Sequence, residues 1–486
     1  MSNHNNNIFQ PYNSDQQLHF GSCTCGKHNS QLECDASFSN EQTEQITSFQ
    51  KSYGEQSTTE QLSHDFIEAV AVKALFPHEP TRRAFLKSVG KGTAMAAIAS
   101  VLPIASLQEA AALDKLNPEK KQVNIGFLPI LCATPLIMAD PMGFYQEQGL
   151  KANLLKRAGW ALVRDQMVNR ELDATHFLAP MPIAISLGLG SAQQDMKVAA
   201  IQNTNGQALV MSLKHKNNRD PKNWRGMTFA IPFEHSMHNY LLRYFLAEHG
   251  LDPDKDVKLR ITTPPDMIAN LKAGNIDGFF GPEPFNQRAV WDKAGYIHTL
   301  SQDIWNGHPC CSFGTSQNFI NENPQTFLAM NRAIIKANIM ANDRTIRRGL
   351  STLLSKPNYL NQPELVLRQS LMGRFADGIE NVQDFPDRMS FDVLPWYSVA
   401  VWMMTQMKRW GYLKESVNYQ DIAEKVFMLT DAKKQMQLMG YPVKDKLSKD
   451  GSGLASGYPA FSVMGKVFDP SNPNEYLNSF AIGHKG

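Results

Sequence analysis

Between residues 159 and 190 the chain reads GWALVRDQMVNRELDATHFLAPMPIAISLGLG, and this stretch leaves few folds open. Residues 160–169 set apolar Ala161, Leu162, Met167 and Val168 beside charged Arg164 and Asp165, with Arg170 following, the pattern of one short amphipathic helix. Residues 173–178 form a small apolar run of the length of a buried strand. Residues 180–189 then read as a helix opened by proline, whose missing N–H costs nothing in a first turn. Helix, strand and helix with tight joints make half of an α/β unit on a parallel sheet, and such joints face the crevice at the strand ends where these sheets take ligands. Leu187-Gly188-Leu189-Gly190 has no third glycine and closes a helix, so it is a C-cap and not a dinucleotide loop.

The same rhythm extends on both sides. Residues 122–128 and 152–155 read as strands around a helix that opens at 134–138, and residues 197–202 and 208–213 read as strands joined by polar Asn203-Thr204-Asn205-Gly206-Gln207. The rhythm restarts with strands at 227–231, 257–261 and 277–280 and helices at 236–249, 264–273 and 283–294. The chain turns helical past Phe319, with a long apolar helix at 395–410. Two α/β lobes follow from this order: 121–215 as the first part of lobe 1, 216–318 as lobe 2, and 319–486 as a helical return to lobe 1 with a C-terminal extension. No internal repeat is present.

The head of the chain has another character. Residues 1–80 form an extension whose first sixty or so positions are rich in Asn, Gln, Ser and His, a composition that cannot bury enough apolar surface to order itself. Inside it Cys23, Cys25, His28 and Cys34 have metal-ligand types at loose spacing, a weak metal or redox candidate. A short helix-like segment follows at 66–76. Residues 81–112 then carry TRRAFLK, a run of small apolar residues at 93–107 and an Ala110-Ala111-Ala112 exit, the features of a twin-arginine export signal. That run is too short, and too interrupted at Pro103, for an ordinary membrane span. The expected location is the periplasm or the inner-membrane surface, with the twin-arginine translocase as an export partner.

Lysine plus arginine (48) nearly balances aspartate plus glutamate (46), so no broad basic face argues for nucleic acid, and a small-molecule ligand is favoured. The sequence has no H-E-x-x-H, no Walker loop and no G-x-S-x-G after a strand, which argues against an enzyme; no cofactor is indicated. Two lobes with polar joints close around a small ligand by hinge motion. Three joints supply donors: Trp160 opens a helix after Gly159, Gln207 follows Asn205-Gly206, and His238 lies in the first turn of a lobe 2 helix, where backbone N–H groups favour an anion. Together they suit a small planar oxyanion.

In order along residues 121–439 the chain carries Gly126-Phe-Leu-Pro129, Gly143-Phe-Tyr145, Trp160-Ala-Leu-Val-Arg-Asp165, Pro180-Met-Pro182, Asn205-Gly-Gln207, His238-Asn-Tyr240, Leu242-Arg243-Tyr244, Gly274-Asn-Ile-Asp-Gly278, Glu283-Pro284, His308-Pro309, Asn358-Tyr-Leu360, Gly373-Arg-Phe375 and Arg409-Trp-Gly411. In these the chain resembles the substrate-binding proteins of nitrate and bicarbonate ABC importers. The resemblance implies an α/β, two-lobe periplasmic-binding-protein fold of type II, with the ligand in the cleft between lobes and a helical C-terminal extension. It also implies a monomer that delivers nitrate, bicarbonate or a similar anion to an inner-membrane permease, with the anion held by Trp160, Gln207 and His238. After His308-Pro309 the nitrate-binding members usually carry a glutamate and a lysine, and the lysine supplies positive charge; here Cys310-Cys311 stand in their place, with Cys311 at the lysine position. Adjacent thiols beside His308 are also metal-ligand types. Two rival readings stay open at this stage, a cytosolic anion sensor acting on a regulatory partner and an enzyme using the cysteine pair with a metal.

Overall fold

The computed structural model describes residues 116–443 and 456–483; the N-terminal cysteine group, the segment 66–76 and the export segment 81–112 lie outside the described residues. Ten strands build two sheets: β1 (Gln122–Phe127), β2 (Lys151–Lys156), β3 (Ala174–Leu178), β4 (Met196–Asn205), β5 (Gln207–Ser212), β6 (Thr228–Ile231), β7 (Lys258–Ile261), β8 (Gly278–Pro282), β9 (Gly295–Leu300) and β10 (Pro309–Ser316). The first sheet has the order β4-β10-β3-β1-β2, extended at the β4 edge by the two-residue strand Met389–Ser390; the second has the order β7-β6-β8-β5-β9. β1 runs parallel to β2 and β3, and β6 runs parallel to β7 and β8. β3 and β10 are buried along their whole length; β3 reads in the sequence as a small apolar run, whereas β10, with Ser312, Gly314, Thr315 and Ser316, does not read as a strand there.

The chain passes from one sheet to the other at Gly206. β5 pairs antiparallel with β8 and β9 and belongs to the second sheet, whereas the sequence division put residues up to 215 with lobe 1. β10 pairs with β3 and β4 in the first sheet, although the same division kept residues up to 318 in lobe 2. Residues 203–205, read as a polar joint, are the end of β4. The polarity was legible, but the direction in which a joint leaves its sheet is set by backbone torsion and distant partners.

α1 (Trp160–Val168) follows β2, and α2 (Met237–Glu248) follows β6. α3 (Pro324–Asn342) packs back on the first sheet, and α4 (Tyr397–Arg409) lies beneath the C-terminal segment. α2 starts at Ser236, whose Oγ accepts the Asn239 N–H at 3.0 Å, an N-cap worth about 1 kcal/mol. Residues 237–247 are all buried, since the C-terminal segment covers the face turned away from the sheet. There Tyr244 Oη donates to the Val463 carbonyl at 3.2 Å, the Trp305 ring stacks on Phe461 at 4.3 Å, and Trp402 Nε1 donates to Tyr476 Oη at 3.3 Å. The helix expected at 283–294 runs only over Phe285–Trp291, because both backbone groups of Glu283 are engaged across the seam. Among the described residues no helix is long and apolar enough to cross a membrane.

Candidate functional site

The seam is knotted around Asn205 and Gly206. Both adopt positive φ, +58° and +74°, which swings the chain out of β4 and into β5. A Cβ on Gly206 would stand 3.1 Å from Met389 Cγ, so the turn is closed to any side chain without a shift of that neighbour. Asn205 Nδ2 donates to Asn306 Oδ1 at 3.1 Å and to the Asp387 carbonyl at 3.0 Å, while its Oδ1 accepts the Gly307 N–H at 2.8 Å. The Asn205 N–H donates to the His308 carbonyl at 2.9 Å, and the Gly206 N–H to the Arg388 carbonyl at 2.9 Å. One asparagine thus ties together three passages of the chain at the lobe seam.

Beside the knot lies a buried ion pair, Glu283 with Arg388, each side chain about 1% exposed. The Glu283 N–H donates to the Gly206 carbonyl at 3.1 Å and its carbonyl accepts the Leu131 N–H at 2.9 Å. Its carboxylate also accepts from Ser370 Oγ at 2.7 Å and Asn286 Nδ2 at 3.3 Å. Arg388 donates to Gln287 Oε1 at 2.7 Å and lies 3.8 Å over the Phe375 ring. Sequence reasoning found Glu283 as part of a motif but missed Arg388, whose partner is 105 positions away.

Gln207 begins β5 directly beyond the knot, paired with Pro282; it is 1% exposed and neither amide atom has a protein partner. His238 lies in the first turn of α2, fully buried, edge-on to Phe280 at 6.4 Å, with neither ring nitrogen in a hydrogen bond. Trp160 opens α1, buried, and its indole N–H is likewise unpaired. Cys311 is buried in β10 and its N–H donates to Asn203 Oδ1 at 3.2 Å. Of these residues the structure joins His238 and Cys311 through Cys310, whose thiol the His238 ring borders. Gln207 follows the Asn205–Gly206 knot directly along the chain. Trp160 stands at the start of α1, and its indole N–H makes no hydrogen bond to the other three.

A residue the sequence did not connect completes the cluster. Cys132, in the turn after β1, has its Sγ 3.4 Å from Cys310 Sγ, and Cys310 Sγ is 3.6 Å from Cys311 Sγ. Neighbours along a strand point to opposite faces, so two adjacent cysteines ordinarily part. Here β10 shifts register against β4 between Pro309 and Cys311 and again between Cys311 and Ser312, and this bulge turns both thiols toward Cys132. All three thiols are free and wholly buried. Burial pushes Cys132 and Cys311 well above the ordinary thiol range. At Cys310 the same burial is outweighed by the Cys132 and Cys311 thiols and by His238, so Cys310 is the one drawn down. Cys311 is therefore a neutral thiol and brings no cation to the seam. His176 and His308 line the same region, and burial lowers each to about 4.

A cavity of about 440 Å³ lies at the surface among Lys408, Asn418, Tyr419, Asn474 and Asn478. It holds none of the wholly buried, unpaired donors of the seam, and buried polar groups without partners are the rarer feature and the stronger pointer to a ligand.

Residues 116–355 match the model of the NMT1-like family. The chain is 32% identical over 390 residues to the nitrate import ATP-binding protein NrtC of Synechocystis, a match that takes in 75% of this chain and 56% of that protein, so the chain spans little more than half of that relative. It is 29% identical over 389 residues to the nitrate/nitrite binding protein NrtA of Nostoc, covering 75% of this chain and 86% of the relative. The crystal structure of the periplasmic nitrate-binding protein NrtA from Synechocystis superposes with a TM-score of 0.69 at 26% identity, over 75% of this chain and 100% of that one, and its fold is the two-lobe fold of periplasmic binding proteins. Residues 116–355 thus match the NMT1-like family, and the chain is similar in sequence and in fold to nitrate-binding proteins.

Proposed function

We propose that this chain is the substrate-binding component of an ABC importer and holds a small oxyanion, nitrate first, at the lobe seam. The observation that carries the reading is the state of Gln207 and His238: both side chains are shut away from water, and their four polar atoms have no partner in the protein. A buried polar group left so costs about 1–3 kcal/mol, and a ligand that bonds it recovers that loss. Trp160 Nε1, Gln207 Nε2 and a ring N–H of His238 are three donors, two of them at helix starts whose dipoles favour negative charge. Nitrate is a planar, singly charged acceptor with three oxygens to match them. Cys311 stands where the resemblance implies a lysine, and losing one charge-assisted bond weakens binding by about 1.5–3 kcal/mol. Bicarbonate, in the same importer role, is the alternative ligand. The nitrate-binding relatives support delivery to a permease and its ATPase, a periplasmic location and a transport role without catalysis. The segment 81–112 supports export by the twin-arginine translocase.

Calorimetric titration of nitrate, nitrite and bicarbonate into the full chain tests this, beside Gln207→Ala and His238→Ala. Wild type binds one of these anions, and each variant weakens that binding about tenfold or more, as the loss of one hydrogen bond to a charged group requires. No heat with any of the three, or unaltered affinity in Gln207→Ala, refutes the assignment.

A further inference from the structure

We infer that Cys132, Cys310 and Cys311 form a three-thiolate binding site for a soft metal ion, zinc first, with the fourth position left to water or an added ligand. The three sulfurs lie within 4.8 Å of one another, at 3.4 and 3.6 Å for the two contacting pairs. Ligands about 2.3 Å from a tetrahedral zinc stand about 3.8 Å apart, so the thiols need to move only a few tenths of an ångström to coordinate one ion. Sulfur donors select soft cations such as zinc and copper(I) over magnesium or calcium. Binding exchanges thiol protons for the metal, so the ion compensates the thiolates inside a buried site.

The surroundings point the same way. Two of the thiols are adjacent residues that meet on one side of the strand only because β10 is bulged at both, a departure from the regular ladder that packing alone does not require. The Leu131 N–H, donated to the Glu283 carbonyl at 2.9 Å, anchors the turn that carries Cys132, so the ligands from the two chain segments are held in place.

The test uses the full chain with Cys23, Cys25 and Cys34 changed to serine, so that no thiol outside the site contributes, titrated with cobalt(II) under argon after reduction and removal of the reductant. One equivalent of cobalt is expected to give thiolate-to-cobalt charge-transfer bands and the intense d–d bands of a tetrahedral site, and zinc is expected to displace it. Cys132→Ser and Cys310→Ser should each abolish the charge-transfer bands or weaken cobalt affinity at least about tenfold, with far-ultraviolet circular dichroism reporting that the chain is folded. No thiolate bands in the folded parent, or bands untouched by Cys132→Ser, overturns the metal site. Nitrate titrated into the metal-free and zinc-loaded chain separates the two ideas. Cobalt bands without anion binding leave the metal site standing and sink the importer reading.

Discussion

Arg388→Met is the substitution whose cost the structure fixes most closely. Arg388 and Glu283 are each about 1% exposed, so the carboxylate left behind has no water to turn to. It keeps the Ser370 hydroxyl and the Asn286 amide, at 2.7 and 3.3 Å, but loses the only cation bonded to it among the described residues. Removing one partner of a buried pair costs about 3–5 kcal/mol, and the loss of the guanidinium over Phe375 adds about 1 kcal/mol. Methionine is close to arginine's stem in volume, so the change isolates charge from packing. Changing Glu283→Gln as well removes the uncompensated charge and should restore most of the stability. Urea unfolding of the four proteins of this cycle at neutral pH, followed by tryptophan fluorescence, reads both numbers as shifts in midpoint. Arg388→Met costing less than about 1 kcal/mol, or the double variant losing the full sum of the singles, would show that the pair does not hold the seam. Because the Arg388 carbonyl accepts the Gly206 N–H, the single variant should also weaken anion binding at the neighbouring Gln207.

Other outcomes follow from the same geometry. Gly206→Ala places a Cβ 3.1 Å from Met389 Cγ at a φ of +74°, and should lower stability by about 1–2 kcal/mol in urea titrations and loosen anion binding with it. His298, packed edge-on to Trp224 at 4.9 Å, is held down to about 4 by burial. Its folded pKa lies below the ordinary 6.5, so the unfolded chain takes the proton first; the stability is whole above about pH 6.5 and falls as the pH drops toward 4, by up to about 1.4 kcal/mol per unit. His298→Phe should therefore flatten the pH dependence of the unfolding midpoint between 6.5 and 4, and an unchanged slope would contradict the assignment. Replacing both Arg82 and Arg83 by lysine should leave the protein in the cytosol on cell fractionation; undiminished export would remove the twin-arginine reading.

The two-lobe plan was legible because its units are local. The helix at Trp160, the buried run before Leu178 and the capped start at Ser236 each declare themselves within a dozen residues, and the restart of the rhythm after Trp224 marks a second sheet. Trp160, Gln207 and His238 were legible as polar groups at the joints. What the sequence conceals are relations over distance. Nothing near Gly206 shows that β5 leaves its neighbour's sheet, because that turn depends on contacts with residues 306–307 and 387–389. Cys132 looks solitary, since 178 positions separate it from Cys310 and only a bulge brings the pair round to it. Arg388 gives no local sign that it neutralises Glu283.

The central claim is that the uncommitted donors at the seam converge on one small oxyanion. The measurement that tests it most directly is a crystal structure of the full chain grown with nitrate. The account predicts one planar anion between the sheets, its oxygens about 3 Å from Gln207 Nε2, a ring nitrogen of His238 and Trp160 Nε1. An anion seated elsewhere, or a seam in which these three side chains bond to one another and exclude it, would contradict the account.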